Sequence, residues 1–307
     1  MFEQIISQPM KNHALIFIYL FGVASMLSAQ TESDGIRMGK NAFCGGLTYS
    51  YSHWNRYWEG SYLRDNPNIG NVTSSTIGVM GAYGLLERLN VIFSLPYIAT
   101  KASAGTLKGQ QGFQDFSLFL KYLALNKTGG ASRYLLYAVL GGSVPTNNYI
   151  PDFLPMSIGL KSSTLNFRLI GDYQVKHFFA TVSGNFIYRS NIKIDRTAYY
   201  TTQMIYSSKV YMPNVYSSKL GLGYRKGELI IEGTFDYMNT LGGFDIRKND
   251  MPFPSNKMGM TRAGINLKIP VDKLERLSVV ANSFYTLEGR NTGKSLSGML
   301  GVFYIFF

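Results

Sequence analysis

The amino-acid sequence predicts an all-β fold, a transmembrane antiparallel up-and-down β-barrel of about twelve strands. Three observations predict it. Charged residues are only 16% of the 307, yet no apolar run outside the N-terminus reaches the roughly 20 residues a helix needs to cross a bilayer. From Phe43 onward, stretches of about ten residues alternate with period two and are separated by turns or loops. The connections are short and mostly longer in strict alternation. Tyr (22), Phe (20) and Gly (32) are abundant, which suits strands, tight turns and interfacial aromatic belts.

The N-terminus reads as an export signal over 1–29: Lys11 precedes the apolar run from Leu15 to Leu27, and Leu27-Ser28-Ala29 forms a small-residue cleavage site before Gln30. Residues ahead of Met10 look like an upstream start, so either Met1 or Met10 is the first residue. Residues 30–41 are expected to be a short periplasmic segment and 42–307 a single barrel. No Cys sits at the cleavage site, which argues against a lipoprotein. The single Cys44 has no internal disulfide partner and reads as a small wall residue.

Strands are expected near 43–53, 73–84, 89–97, 113–123, 133–143, 163–174, 178–190, 214–225, 228–240, 258–269, 276–287 and 295–306. Tyr83 and Tyr97 fall at opposite strand ends on the apolar face, where a ring straddles a membrane interface. Pro96 lies near a strand end, a permitted place for a residue without an N–H. In 165–174, Leu165, Phe167, Leu169, Gly171 and Tyr173 oppose Asn166, Arg168, Asp172 and Gln174. In 178–189, Phe178, Ala180, Val182, Gly184, Phe186 and Tyr188 oppose Thr181, Ser183, Asn185 and Arg189. Tyr216, Leu220, Leu222 and Tyr224 then oppose Ser217, Lys219 and Arg225, and Leu229, Ile231, Phe235 and Tyr237 oppose Glu232, Thr234 and Asp236.

Short connections are expected at 85–88, 124–132, 175–177, 226–227 and 270–275, and mostly longer ones at 54–72, 98–112, 144–162, 191–213, 241–257 and 288–294. Taking Lys226-Gly227 as a two-residue turn keeps both polar sets on one face and sets Lys219 opposite Thr234. Val175-Lys176 shows the same parity switch, although neither residue favours positive φ. Short periplasmic turns, longer extracellular loops and an even strand count are features of an outer-membrane barrel, with both termini periplasmic. A soluble β-sandwich also alternates. The export signal, the loop asymmetry and the terminal Phe306-Phe307, which resembles the signal read by the barrel-assembly machinery, stand against it.

The net charge is +12, and residues 1–29 hold one charge of each sign, so the excess belongs to the exported chain. Lipopolysaccharide phosphate or an anionic solute accounts for it, and export disfavours nucleic acid. Outer-membrane lipid, the assembly machinery and a protein partner in the outer membrane are the other expected contacts. The polar faces carry eleven charges: Asp115, Asp172, Glu232 and Asp236 against Lys121, Arg168, Arg189, Lys219, Arg225, Arg262 and Lys268. They read as a paired network inside the lumen or as the wall of a weakly cationic pore with three positive charges in excess. Trp54, Tyr57, Trp58, Tyr62, Tyr199, Tyr200, Tyr206 and Tyr211 in the longer loops read as an extracellular aromatic entrance. No catalytic, cofactor or metal site is expected: His13 lies in the signal, and His53 and His177 fall at opposite barrel ends. A small-solute channel, a non-conducting barrel acting as an accessory subunit or binding surface, and a lipid-modifying barrel enzyme around His53 are the three readings.

Residues 83–122 resemble the outer-membrane transporter family of the phenol-degradation meta-pathway type. Tyr83-Gly84-Leu85-Leu86-Glu87-Arg88-Leu89-Asn90-Val91, Ser94-Leu95-Pro96-Tyr97, Gly112-Phe113-Gln114-Asp115-Phe116-Ser117 and Lys121-Tyr122 carry the resemblance, with Gly141-Gly142-Ser143-Val144-Pro145-Thr146 and the region from Tyr57 to Asn66 in agreement. It covers the first half of the chain. It implies passage of small hydrophobic or aromatic compounds.

Overall fold

The computed structural model describes residues 30–248, 250–271, 274 and 276–307; the export signal expected over 1–29 lies outside them. Twelve long strands among the described residues form one antiparallel sheet. They are β1 (Phe43–Trp54), β2 (Val72–Leu86), β3 (Leu89–Ala102), β4 (Asp115–Gly129), β5 (Ser132–Pro145), β6 (Thr164–Val175), β7 (Phe178–Arg189), β8 (Asn214–Lys226), β9 (Leu229–Leu241), β10 (Gly259–Pro270), β11 (Leu277–Arg290) and β12 (Leu296–Ile305). Each pairs with its sequence neighbours, and β1 also pairs with β12 from Cys44↔Ile305 to His53↔Leu296. The sheet therefore closes on itself and leaves no open edge.

Alternation decides what each face meets. Phe167, Leu169, Val182, Phe186, Leu222, Ile231 and Phe235 are all exposed on the outside. Aromatic residues ring both ends of this apolar belt, as interfacial girdles do. At the turn end Tyr134 stacks on Tyr173 at 4.4 Å and Phe43 on Phe306 at 5.4 Å, while at the loop end Tyr97 meets Phe113 edge-on at 5.3 Å.

Two turns lie one residue beyond the positions read from sequence. Lys226 pairs with Leu229, so the turn is Gly227-Glu228, and Val175 pairs with Phe178, so the turn is Lys176-His177. In both, the first turn residue takes positive φ, +60° at Gly227 and +52° at Lys176. β-branched Val175 resists that conformation and stays in the strand. Parity survives the shift but partners change: Lys219 lies opposite Asp236, not Thr234. The connection expected at 124–132, among the short set, shrinks further to Gly130-Ala131, because β4 bulges at Leu123/Leu125 and continues to Gly129.

The N-terminal segment also departs from expectation. Residues 30–41 do not stand outside the barrel but pack inside its turn end, where Met38 is fully buried in an apolar cluster with Cys44, Ala82, Ile92 and Phe303. The inner wall nearby carries a second apolar cluster of Leu123, Leu135, Tyr137, Val139 and Ile170. At the other end, residues 146–163 fold inward. Met156 is fully buried, and its carbonyl accepts a hydrogen bond from Thr100 Oγ1 on the inner face of β3 at 2.6 Å. The loops over 190–213 and 242–258 share their own core of Ile192, Ile194, Tyr199, Val210, Met212 and Phe253.

Candidate functional site

The eleven charged residues predicted for the polar faces all project inward, and six of the seven cations meet a carboxylate. Three of these partners lie on the wall. Arg225 makes a two-pronged contact with Asp172, both arms at 3.2 Å. Lys219 reaches Glu232 diagonally at 3.3 Å, and Arg262 meets Asp236 at 2.9 Å. The other three come from carboxylates outside the predicted set: Asp34 binds Lys121 at 2.8 Å, Glu32 binds Arg168 at 3.3 Å, and Glu228 in its turn binds Lys268. The seven predicted cations are thus matched in number by seven carboxylates, although the segment that brings Asp34 and Glu32 also brings Arg37 and Lys40 to the turn end. Arg189 has no acidic partner among the described residues, and Asp115 accepts a hydrogen bond from Tyr149 of the inserted loop at 2.7 Å.

The N-terminal segment is therefore a plug, and its chemistry explains its seat. Lys121 Nζ is fully enclosed and donates to the carbonyls of Thr31 and Asp34, at 3.0 and 2.7 Å, as well as to the Asp34 carboxylate. Asp34 Oδ2 in turn accepts from the Thr31 backbone at 2.6 Å, which folds 31–34 into a compact turn. Gly35 passes so close to the wall that a Cβ there would overlap the Asp172 carboxylate. Tyr137 donates to the Gly35 carbonyl at 3.3 Å, Asn90 donates to that of Met38 at 3.1 Å, and Arg37 donates to the Glu87 carbonyl in the first turn.

Open space remains on both sides of the plug. A cavity of about 1000 Å3 lies at the turn end, with Arg37, Lys40, Arg133, Lys176 and Arg225 among its lining residues and Glu87 the acid among them. A second, of about 270 Å3, lies above the plug at mid-height, between Glu32, Arg168, Asn185, Lys219, Asp236 and Arg262.

The eight aromatic residues of the loops do not gather at one entrance. Trp58 is 6% exposed, packed against Gly289 near the end of β11 with its backbone N–H donating to the Thr292 carbonyl at 2.8 Å, and Tyr199 is 5% exposed, stacked on Phe253 at 5.3 Å. Trp54 and Tyr57 lie 6.1 Å apart beside that last loop, and Tyr200 lies under Arg247 at 3.7 Å. Tyr62, Tyr206 and Tyr211 stand out into solvent. Buried Asn291 ties three loops together: its Oδ1 accepts from Gly60 N at 2.8 Å and Ile246 N at 3.1 Å, and its Nδ2 donates to Asp245 and to the Lys257 carbonyl at 2.7 Å each. His53 ends β1 on the loop side and His177 sits in a turn at the opposite end, so the two share no site.

Comparison with solved structures fits this architecture. The COG4313 outer membrane channel from Pseudomonas putida F1 superposes with a TM-score of 0.71 at 17% identity, over 91% of this chain and 100% of that one. The chain has the fold of an outer-membrane channel barrel. The NanC porin (9% identity, 85% and 98% coverage, TM-score 0.48) and the translocator domain of the autotransporter NalP from Neisseria meningitidis (12%, 87% and 88%, 0.43) are looser matches. No protein-family model and no curated protein matches the chain, so the phenol-degradation resemblance is not confirmed.

Proposed function

We propose that this protein is a bacterial outer-membrane channel for small polar solutes, held shut by its own N-terminal segment. The observation that carries this reading is the source of the lumen's carboxylates. Enclosed Lys121 and Arg168 on the wall are neutralised by Asp34 and Glu32 of a segment that is not part of the wall. A barrel filled only to be solid needs no such separate piece. One held by a few ion pairs and hydrogen bonds in a confined space is a part able to leave. The turn end, where both ends of the barrel domain lie, faces the periplasm in this reading, and the loops face outward.

The hydrophobic or aromatic solutes implied by the family resemblance have no matching apolar path at mid-height. Arg168, Ser183, Asn185, Ser217, Lys219 and Asp236 line that level, so polar solutes suit it better. Flux into liposomes tests the reading. A variant lacking residues 31–36 should admit a small polar solute such as glycerol severalfold faster than the full chain. Equal exclusion by both proteins would overturn it in favour of a non-conducting barrel.

A further inference from the structure

We infer that the turn-end cavity binds a small multivalent oxyanion, a carboxylate or phosphate, that bridges the plug to the barrel wall. This deepens the channel reading, on which it rests for its consequence: a bound anion then holds the channel shut.

The cavity of about 1000 Å3 gathers cations from two separable pieces of chain. Arg37 and Lys40 belong to the plug, while Arg133 lies at the start of β5 and Lys176 in the turn between β6 and β7. None of the four pairs with a carboxylate among the described residues, and Glu87, the acidic side chain on the lining, offers Arg37 its backbone carbonyl instead. Arg225, also on the lining, is matched by Asp172. Four cations less one carboxylate leave three positive charges in excess. Deeper in the lumen, charges away from water are paired; here Lys40, Arg133 and Lys176 are exposed to the cavity's water and Arg37 is half-buried.

Single solvated cations at a pore mouth need no ligand. These differ because docking the plug carries two of them toward like charges on the wall. Arg37 and Arg133 both lie within electrostatic reach of the Tyr137 hydroxyl. Like charges held together in a recess favour an anion between them. Guanidinium forks grip carboxylate or phosphate oxygens two at a time, and an excess of three charges suits a di- or trivalent anion better than chloride or acetate. An anion that touches both pieces binds the docked state more tightly, so its binding keeps the plug in place.

Calorimetry on the purified full-length protein in neutral detergent tests the site, with citrate and inorganic phosphate as probes and acetate at equal ionic strength as the control. At least one probe should bind saturably, the tighter one naming the anion class, and acetate far more weakly. Arg133→Gln and Lys176→Gln on the wall should each weaken that probe about fivefold while melting, in probe-free buffer, as the wild type does. Arg37→Gln on the plug should weaken it as much. The saturating probe should also slow cleavage by proteinase K within 30–41 severalfold, and have no such effect in the Arg133→Gln, Lys176→Gln double variant. No saturable binding of either probe, acetate bound as tightly, or affinity unchanged in both wall variants would overturn the site. A probe that binds without slowing cleavage, or binds Arg37→Gln at full affinity, would overturn the bridge to the plug. Binding and protection with no flux through the variant lacking 31–36 would keep the site and overturn the channel, whereas flux without saturable binding would do the reverse.

Discussion

Replacing Asp34 with Ala should undock the N-terminal segment, and the structure sets the scale. The substitution removes the only carboxylate bound to Lys121 Nζ among the described residues, at 2.8 Å, from a side chain with no solvent exposure. Breaking one partner of a buried pair costs about 3–5 kcal/mol. Lys121 keeps two carbonyl oxygens at 3.0 and 2.7 Å, which places the cost near the lower bound, about 3 kcal/mol. The lost turn bonds from Thr31 N and Ile36 N, at 2.6 and 3.0 Å, add about 1 kcal/mol. The sum shifts the docked-to-free ratio by roughly two to three orders of magnitude. Limited proteolysis of the purified protein reads this as faster cleavage within 30–41. Adding Lys121→Met removes the stranded charge and should recover much of the protection. Gly35→Val should expose the segment by another route, since its Cβ would meet the Asp172 carboxylate. Cleavage at the wild-type rate in both Asp34→Ala and Gly35→Val, or equal loss in the Asp34→Ala single and double variants, would show that the Lys121–Asp34 pair does not hold the segment.

Other predictions follow from the same contacts. Phe235→Arg places a charge on the outer face and should cost about 2–4 kcal/mol if that face meets the bilayer centre, read as a lower unfolding midpoint in lipid; a harmless Phe235→Arg with Thr234→Leu abolishing assembly would invert the two faces. Asp236→Ala strands Arg262 against the Phe284 ring at 4.4 Å and should cost about 1–3 kcal/mol in thermal stability, more than the paired Asp236→Ala, Arg262→Met change. Hydrogen bonds from Arg290 hold the Asp245 carboxyl below its ordinary value, against a smaller opposing effect of burial. Its contribution to the loop cluster is therefore complete above about pH 4 and is lost as the pH falls through its lowered value; Asp245→Asn should remove that acid-sensitive step from hydrogen exchange of 242–258.

The parts of this fold legible in the sequence are those with a period. Asn166, Arg168, Asp172 and Gln174 alternate with large apolar residues, and a narrow barrel allows one inward face only. Turn positions were off by one where the deciding quantity was backbone conformation: Gly227, not Lys226, takes the positive φ that starts the turn. The plug was illegible because Thr31 to Asn41 has no period, and short polar segments with Glu32, Asp34 and Lys40 usually belong to solvent. One signal pointed to it. Three positive charges in excess inside a closed wall require carboxylates from elsewhere, and Asp34 and Glu32 supply two of them while Glu228 supplies the third from its turn. The aromatic loop residues misled for a related reason. Loops this long build their own core, so Trp58 and Tyr199 serve packing, as their company of Gly289 and Phe253 shows.

Single-channel conductance of the variant lacking residues 31–36, recorded with and without a synthetic peptide spanning residues 30–41, tests the removable plug most directly. Open channels several times more conductive than those of the full chain are expected, with reversible block when the peptide is added on the turn side and weaker block by the Asp34→Ala peptide. Conductance equal to that of the full chain, or open channels that the peptide fails to block from either side, would contradict it.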